Sequence, residues 1–331
     1  MERLREVDYR ALRLMMERSE GGVVGKMNAL KRFDAAWRGG LLCIPVNEGG
    51  VQRWWRCEAR FLLGEYGDWG GWENRDPWAL MIWNENPFDV PVWNPEGVCG
   101  RLYVIGEQGL GDEVMFSQCL EDVMAGGMVG EVVVETQERL RGVFERSFGV
   151  KTVAANIGED GIRRKQEFDA DAWVSMGDLP RLFRRGVFPR KPYLKAGVDE
   201  RYRGRVVVSW RGAQGEVGEL MKIPGALSVQ YDQGWDEDIE RADVDLLNDI
   251  EGVMGVLAGC EKLICVSTTV AHLAGAMGVP AEVIVADPKS GVRGNIMPWR
   301  WIDMKHPQRT RWYGDHVRTY QSFREYRALC R

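Results

Sequence analysis

Histidine is scarce in this chain, and paired cysteines are missing. Only His272, His306 and His316 occur among 331 residues, so a histidine-rich metal site is not indicated. The seven cysteines contain no Cys-x-x-Cys pair. An odd number of cysteines without metal-binding spacing favours reduced, mostly structural thiols. We therefore expect no metal site.

Long apolar runs and a surplus of basic residues are also missing. No apolar run approaches the length of a bilayer-spanning helix. The charged first residues, Met1 to Asp8, contain no signal-peptide core. The net charge of −5 excludes a strongly basic protein but is compatible with a local basic patch. These absences predict a cytoplasmic protein without a membrane span.

Tryptophan, in contrast, is abundant. Many of the 14 tryptophans lie between Trp54 and Trp93 or between Trp299 and Trp312. Packing between helices is the ordinary interpretation, whereas stacking on sugars or bases in a cleft is the functional one. The length of the chain allows two or three domains, each with a core of its own.

The sequence divides into a helical start, a connector and two series of alternating strands and helices. Residues 1–66 have a rough helical spacing, and 67–98 combine Gly, Pro and Asn with Trp, which indicates an ordered connector. The predicted strands are 101–106, 131–135, 172–175, 205–210, 262–266 and 281–286. The predicted helices are 113–125, 137–147, 178–185, 246–258, 269–277 and 321–329. This alternation predicts an α/β fold with two parallel sheets.

Two turns mark points where a strand passes into a helix. The first is Gly106-Glu-Gln-Gly-Leu-Gly-Asp112, and the second is Val266-Ser-Thr-Thr-Val-Ala-His272. The N-terminus of a helix after such a turn favours an anion or a catalytic carboxylate. The two turns lie about half a chain apart, so they predict two facing domains with a polar site between them. The glycine spacing of the first turn is not Gly-x-Gly-x-x-Gly, which disfavours a dinucleotide site.

A series of segments makes the chain resemble the ADP-heptose:lipopolysaccharide heptosyltransferase-like glycosyltransferases. The resemblance is to the branch in which this domain follows tetratricopeptide-type helices. The matching segments are 61–73, 106–112, 173–180, 192–194, 209–212, 222–224, 266–276, 298–301 and 312–313. Each segment alone is a weak signal, but their common order is a strong one.

The resemblance implies the GT-B fold, in which two Rossmann-like parallel-sheet domains face a cleft. The implied divisions are a short helical region with its connector (1–97), an acceptor domain (98–196), a nucleotide-sugar domain (197–310) and a C-terminal segment (311–331) that packs back on the first domain. A nucleotide diphosphate sugar would be the co-substrate, and no other cofactor is implied. The role of a metal ion would be taken by protein groups.

The family's proposed catalytic base is the aspartate of its first turn, which corresponds to Asp112. Gly109 and Gly111 would allow a substrate to approach the backbone closely. The alternative for Asp112 is a structural role as the N-cap of helix 113–125. Glu107 and Glu113 are nearby substitutes for this base, although the ordinary interpretation of both is a solvated charge at the helix end.

The second turn and two cations are the candidate donor site. Ser267, Thr268 and Thr269 can receive a diphosphate at the helix start, although ordinary capping would need only one of them. His272 corresponds to a family histidine near the phosphates, although a lone helical histidine is usually a packing residue. The candidate cations are Arg211 and Lys222. The family usually has Asp where this chain has Ser267, which brings the usual donor sugar into question.

A basic segment near the end of the first domain is the candidate acceptor surface. Its residues are Arg181, Arg184, Arg185, Arg190, Lys191 and Lys195. A solvated face is the ordinary interpretation, and an anionic acceptor such as a phosphorylated glycan or DNA is the functional one.

The resulting hypothesis is an inverting, metal-independent glycosyltransferase. Its acceptors, in order of preference, are a glycan, a protein side chain and a hydroxylated base in DNA. The alternative is a non-catalytic module that binds a nucleotide sugar or glycan in a degenerate site. A third hypothesis is a hydrolase or epimerase of nucleotide sugars.

Overall fold

A computed structural model supplies the structure of the protein. It describes residues 57, 61, 66–74, 88–107, 109–158, 164, 166–212, 215–232, 239–284, 309–310, 312–320 and 322–330. Most of the predicted helical region 1–66 lies outside these residues. The predicted resemblance of that region to tetratricopeptide helices therefore stays a prediction. The same holds for segment 298–301.

The first sheet contains four parallel strands: β1 (Cys99–Ile105), β2 (Val129–Thr136), β3 (Lys151–Ala154) and β4 (Ala172–Ser175). Their order is β3-β2-β1-β4. The apolar side chains of Leu102, Val104 and Val134 are fully buried, as expected for parallel strands covered by helices on both faces. Three of these strands were predicted. β3 was missed because its four residues alternate in exposure and include a single buried position.

The helices of the first unit follow the carboxyl ends of its strands. α1 (Leu110–Phe116) continues through a 3₁₀ turn into α2 (Leu120–Ala125), and α3 (Arg141–Phe148) and α4 (Leu179–Phe183) complete the unit. The prediction that the first helix begins at residue 113 was wrong. Gly109 is its N-cap, and Asp112 is the third residue of its first turn.

The second sheet contains six parallel strands and an antiparallel edge strand. The parallel strands are β5 (Val206–Ser209), β8 (Leu227–Ser228), β9 (Glu240–Arg241), β10 (Lys262–Val266), β11 (Ala281–Ile284) and β13 (Gly314–Tyr320). The antiparallel edge strand is β12 (Arg309–Thr310), and the sheet order is β12-β13-β11-β10-β5-β8-β9. A separate two-stranded ribbon pairs β6 (Arg211–Gly212) with β7 (Gly215–Glu216). The predicted α/β architecture with two parallel sheets is confirmed.

The helices of the second unit are α5 (Ile250–Gly259), α6 (Thr269–Met277) and α7 (Phe323–Leu329). The prediction of α6 is confirmed at both ends. Gly278 follows it in the left-handed conformation, with a φ of 80°, which glycine adopts without strain. α5 begins four residues later than predicted because the Asp249 carboxylate caps it, accepting a hydrogen bond from the Gly252 N–H at 2.8 Å.

Several tryptophans are core residues, which confirms the packing interpretation for them. Trp72, Trp173, Trp210 and Trp312 are almost completely buried. The indole of Trp72 donates a hydrogen bond to the Gly177 carbonyl at 2.6 Å, so the connector is fixed to the first unit by this side chain.

The described part of the chain was searched for disulfide bonds and for helices that could span a membrane. The six cysteines described there, at positions 57, 99, 119, 260, 265 and 330, are free thiols. In those same ranges, no helix has the length and apolar character needed to cross a bilayer.

Candidate active site

Each predicted turn lies where the strand order of its sheet reverses. In the first sheet the chain runs outward from β1 through β2 to β3 and then returns to the other side of β1 as β4. In the second sheet the corresponding position is between β5 and β10. Crevices at the carboxyl ends of such strands are the usual ligand-binding positions of open α/β sheets. The turns after β1 and β10 therefore lie at the expected positions for ligands.

The helices that follow the two turns contact each other. Gly111 in the first turn of α1 lies against the ring of His272 in α6, and a Cβ atom at Gly111 would be 2.8 Å from His272 Cδ2. His272 is 5% exposed. A site formed by the two turns thus combines residues of both sheets, and only a residue without a side chain fits at position 111.

Asp112 lies next to this contact, at the start of α1. Its carboxylate Oδ2 accepts a hydrogen bond from the Gly109 N–H at 3.3 Å, and the residue is half-buried. The structural alternative, Asp112 as the N-cap, is therefore wrong in position, although the carboxylate does satisfy a backbone group of the turn.

The two neighbouring glutamates are buried, which corrects their interpretation as solvated charges. Glu107 is 1% exposed and accepts a hydrogen bond from the Ser175 hydroxyl at 2.7 Å. Glu113 is fully buried and accepts from the Thr136 hydroxyl at 2.5 Å and the Gln137 N–H at 3.1 Å. The carboxyl ends of β4 and β2 supply the two hydroxyl donors. The glutamates thus hold the edge of the sheet together, and Asp112 is the more exposed acid of the turn.

The second turn has a buried hydroxyl that does not cap its helix. Thr268 is the N-cap residue of α6 by its extended backbone, but its side chain makes no capping hydrogen bond. Among the described residues, the buried Thr268 Oγ1 has no hydrogen-bond partner. A Cβ atom at Gly212 would be 2.7 Å from Thr268 Cγ2 and 3.1 Å from the Ser267 carbonyl oxygen. The ribbon after β5 thus closes over this turn.

The two candidate cations have different surroundings. Arg211 precedes Gly212 and forms ion pairs with Glu216 at 3.2 Å and with Asp232 at 3.3 Å. Lys222 is exposed at the end of a 3₁₀ helix, Gly218–Lys222. The structure thus brings Arg211 to the second crevice and leaves Lys222 at the surface.

A pocket that sequence reasoning missed lies at the same edge of the second sheet. Its volume is about 380 Å³, and it is lined by Tyr231 and by residues 241–248. Tyr231 follows the carboxyl end of β8, and residues 241–248 begin at the carboxyl end of β9. The Tyr231 and Leu247 side chains are about half exposed, at 47% and 50%. The sequence signal that could have found this pocket is an aromatic residue just after a short strand.

Tyr313 is a second residue that the sequence did not identify as part of the site. Its hydroxyl oxygen is 2.6 Å from His272 Nδ1, and its ring lies on Gly275 of α6. The neighbouring Trp312 donates its indole N–H to the Met115 carbonyl at 2.9 Å. The chain just before β13 therefore contacts both α1 and α6. Forty-one positions separate Tyr313 from His272, so no local pattern could have paired them.

The predicted basic surface is largely neutralised, and one of its members is not at the surface. Arg184 is 1% exposed and pairs with Asp122 at 2.8 Å, so its assignment to an acceptor patch is wrong. Of the other five members, Arg181 lies 3.9 Å from buried Asp178, Arg190 pairs with Asp315, and Lys191 pairs with Glu121. Arg185 and Lys195 are exposed.

No model of a protein family matches the chain. Protein FlbA of Caulobacter vibrioides is 28% identical over 299 residues, which cover 74% of this chain. The chain spans half of the length of that relative.

Solved structures of three glycosyltransferases are also similar to the chain. The glycosyl transferase family 9 protein from Veillonella parvula is 11% identical with a TM-score of 0.41, and the match covers 69% of this chain and 88% of that one. The iron-containing dodecameric glycosyltransferase TibC from enterotoxigenic E. coli is 12% identical with a TM-score of 0.43, and the match covers 72% of this chain and 73% of that one. The E. coli ADP-heptose lps heptosyltransferase II is 11% identical with a TM-score of 0.40, and the match covers 66% of this chain and 90% of that one. At this level of identity, the activity of this chain stays a proposal.

Proposed function

We propose that the protein is an inverting glycosyltransferase that moves a sugar from a nucleotide diphosphate sugar to an acceptor hydroxyl. The contact between Gly111 and His272 is the observation that carries the proposal. Through it, the first turn, with its acid, and the second turn, with its helix N-terminus, become parts of one site. Transfer from a nucleotide sugar requires both an acceptor of a proton and a group that stabilises the departing diphosphate. The resemblance to heptosyltransferase-like enzymes agrees with this assignment.

The second turn is suited to the diphosphate. The first N–H groups of a helix lack partners within the helix and bear partial positive charge, and α6 has nine residues. The buried Thr268 hydroxyl adds a donor. Arg211 lies beside the turn, although Glu216 and Asp232 already balance its charge. The helix dipole and the hydroxyl groups would then stabilise the departing diphosphate in place of a metal ion. We therefore expect the protein to be active in the presence of a chelator.

Asp112 is the proposed base of the first turn. The acceptor hydroxyl would attack the anomeric carbon from the side opposite the diphosphate, and its proton would pass to the Asp112 carboxylate. The bond between that carbon and the diphosphate oxygen breaks as the new bond forms, so the configuration inverts in a single displacement. The carboxylate keeps one hydrogen bond from Gly109, which orients it during the transfer.

The acceptor surface favours a neutral hydroxyl over a polyanion. Of the basic residues once assigned to it, Arg184 is buried and both Arg190 and Lys191 are already paired with acids. A glycan is therefore the preferred acceptor, ahead of a protein side chain and of a hydroxylated DNA base. The predicted cytoplasmic location belongs to the same proposal.

The pocket beside Tyr231 is the proposed nucleobase site. Tyr231→Ala should raise the dissociation constant for the nucleotide about tenfold or more, because stacking of a base on an aromatic ring contributes about 1–3 kcal/mol. Isothermal titration with the nucleoside diphosphate measures this. Tyr231→Phe retains the ring and should bind like the wild type. If both variants bind like the wild type, the base lies elsewhere.

Titration of the wild type with UDP, ADP, GDP and CDP, with and without EDTA, is the first test of the function. Tight binding of one nucleotide in EDTA, followed by inversion of its sugar on transfer, is the expected outcome. Binding without turnover on any acceptor would favour the non-catalytic module. That alternative is based on Ser267, which stands where the family usually has Asp. Release of free sugar without an acceptor would indicate a hydrolase.

A further inference from the structure

A buried glutamine just after β8 holds the end of β5. Gln230 is 0% exposed. Its Oε1 accepts hydrogen bonds from the Ser209 hydroxyl at 3.1 Å and from the backbone N–H groups of Trp210 and Arg211, each at 3.0 Å. Its Nε2 donates to the Arg211 carbonyl at 3.1 Å and to the Asp232 carboxylate at 2.9 Å. One amide therefore binds both backbone polar groups of Arg211.

The partners of Gln230 determine which amide atom is the oxygen. Backbone N–H groups only donate hydrogen bonds, whereas carbonyl and ionised carboxylate oxygens only accept them. With its oxygen and nitrogen exchanged, the amide would match neither set. A carboxylate at this position would lack the donor, and an ammonium group would lack the acceptor. The site thus requires a neutral group that both donates and accepts.

The same amide holds an ion-pair partner of Arg211. The Asp232 carboxylate accepts from Gln230 with its Oδ1 and pairs through its Oδ2 with Arg211 Nη1 at 3.3 Å. Gln230 therefore fixes the backbone of Arg211 and also the acid that lies beside its guanidinium. Buried polar networks in which each member is satisfied are rigid, so the Arg211 side chain starts from a fixed position.

This position lies beside the second turn. Gly212 follows Arg211, and a Cβ atom at Gly212 would be 2.7 Å from Thr268 Cγ2. The Val217 N–H donates to the Trp210 carbonyl at 2.8 Å, which closes the base of the ribbon formed by β6 and β7. The ribbon cannot move away from the turn without breaking hydrogen bonds of the Gln230 amide. The Arg211 side chain is nevertheless 34% exposed, so a ligand can reach it.

We propose that Gln230 is a positioning residue that fixes Arg211 beside the second turn, where the guanidinium binds the diphosphate. This inference rests on the proposed function. A guanidinium that is held in place before binding loses less conformational freedom when the ligand arrives, which increases affinity. Tyr231, the next residue, lines the proposed nucleobase pocket. The segment after β8 therefore serves both ends of the nucleotide.

Gln230→Glu tests the donor half of the amide. The carboxylate has nearly the same size and still accepts from the Ser209 hydroxyl and the two N–H groups, but it cannot donate to the Arg211 carbonyl or to Asp232. The probe is whichever of UDP, ADP, GDP and CDP binds the wild type most tightly, measured by isothermal titration. We expect its dissociation constant to rise about tenfold or more, as for a lost hydrogen bond to a charged group. An unchanged constant would overturn the proposal.

A double-variant cycle shows whether Gln230 acts through Arg211. Arg211→Met alone should raise the same dissociation constant about tenfold or more. In the Arg211→Met background, Gln230→Glu should then add less than about twofold, because the group that it positions is already missing. A merely structural residue would lower affinity by the same factor in both backgrounds. Such multiplication of the two losses would contradict the proposal.

Gln166→Glu is the matched control in the first unit. Gln166 Nε2 donates to the Glu135 carboxylate at 2.7 Å, so this substitution makes the same chemical change beside an acid. It should leave the affinity for the nucleoside diphosphate at the wild-type level. A loss as large as that of Gln230→Glu would show that general destabilisation lowers affinity, and the position of Arg211 would not be the cause.

Amide hydrogen exchange, followed by NMR, tests the contact without any nucleotide. The Trp210 and Arg211 amides should exchange slowly in the wild type and in Gln230→Glu, and at least about tenfold faster in Gln230→Met, which has no acceptor for them. Fast exchange of both amides in the wild type would overturn the assigned contact. If exchange follows the expected pattern but no nucleotide binds the wild type, the proposed function is wrong, and so is the role of Arg211 in binding a diphosphate.

Discussion

Asp112→Asn is expected to abolish sugar transfer while nucleotide binding stays at the wild-type level. Asparagine has nearly the same shape and can still accept the hydrogen bond from the Gly109 N–H, so the first turn should keep its structure. It cannot take a proton from the acceptor. Loss of a general base typically lowers the rate by about 10²–10⁴-fold. Steady-state transfer rates give kcat, and titration with the nucleoside diphosphate gives the affinity.

An exposed aspartate of the same unit supplies the matched control. The Asp169 side chain is 94% exposed and pairs with Arg101. Arg101 lies near the start of β1, whereas the first turn follows the end of that strand. Asp169→Asn makes the same chemical change and should leave both kcat and affinity unaltered. Equal rates for wild type and Asp112→Asn would remove Asp112 from the mechanism. The buried glutamates are weaker substitutes, because their oxygens already accept hydrogen bonds from the sheet edge.

The parts of the structure that sequence predicted well have local causes. The ends of α6 follow from an extended residue, Thr268, before it and a left-handed Gly278 after it. Strands β1 and β10 follow from continuous apolar runs. In each case residues within a few positions of the element determine it, so a single sequence is sufficient.

The parts that sequence predicted poorly depend on distant partners. Glu113 is buried because Thr136 and Gln137, more than twenty residues away, supply its hydrogen bonds. Tyr313 reaches His272 only because β13 joins the second sheet beside β11. A charged residue in a polar run is ordinarily exposed, and only the fold reveals the exception.

Arg184 is such an exception, and it leads to the second large expected effect. Its guanidinium donates from Nε to the Gln118 side-chain oxygen at 3.1 Å and pairs through Nη2 with Asp122 at 2.8 Å. Arg184→Met retains the apolar stem and removes the charge, leaving Asp122 without this partner. Breaking a buried ion pair costs about 3–5 kcal/mol. Because the Asp122 side chain is 32% exposed, we expect a loss of about 3 kcal/mol in the free energy of unfolding.

Urea unfolding followed by tryptophan fluorescence measures that loss, and the adjacent arginine is the control. Arg185 is exposed, and within the described ranges its side chain donates a hydrogen bond to the Arg181 carbonyl, so Arg185→Met should change the free energy of unfolding by less than about 0.5 kcal/mol. The double variant Arg184→Met with Asp122→Asn should be more stable than Arg184→Met alone, since it no longer contains an unpaired, partly buried carboxylate. If Arg184→Met and Arg185→Met were equally stable, Arg184 would belong to the surface, and the basic patch predicted from the sequence would regain its central member.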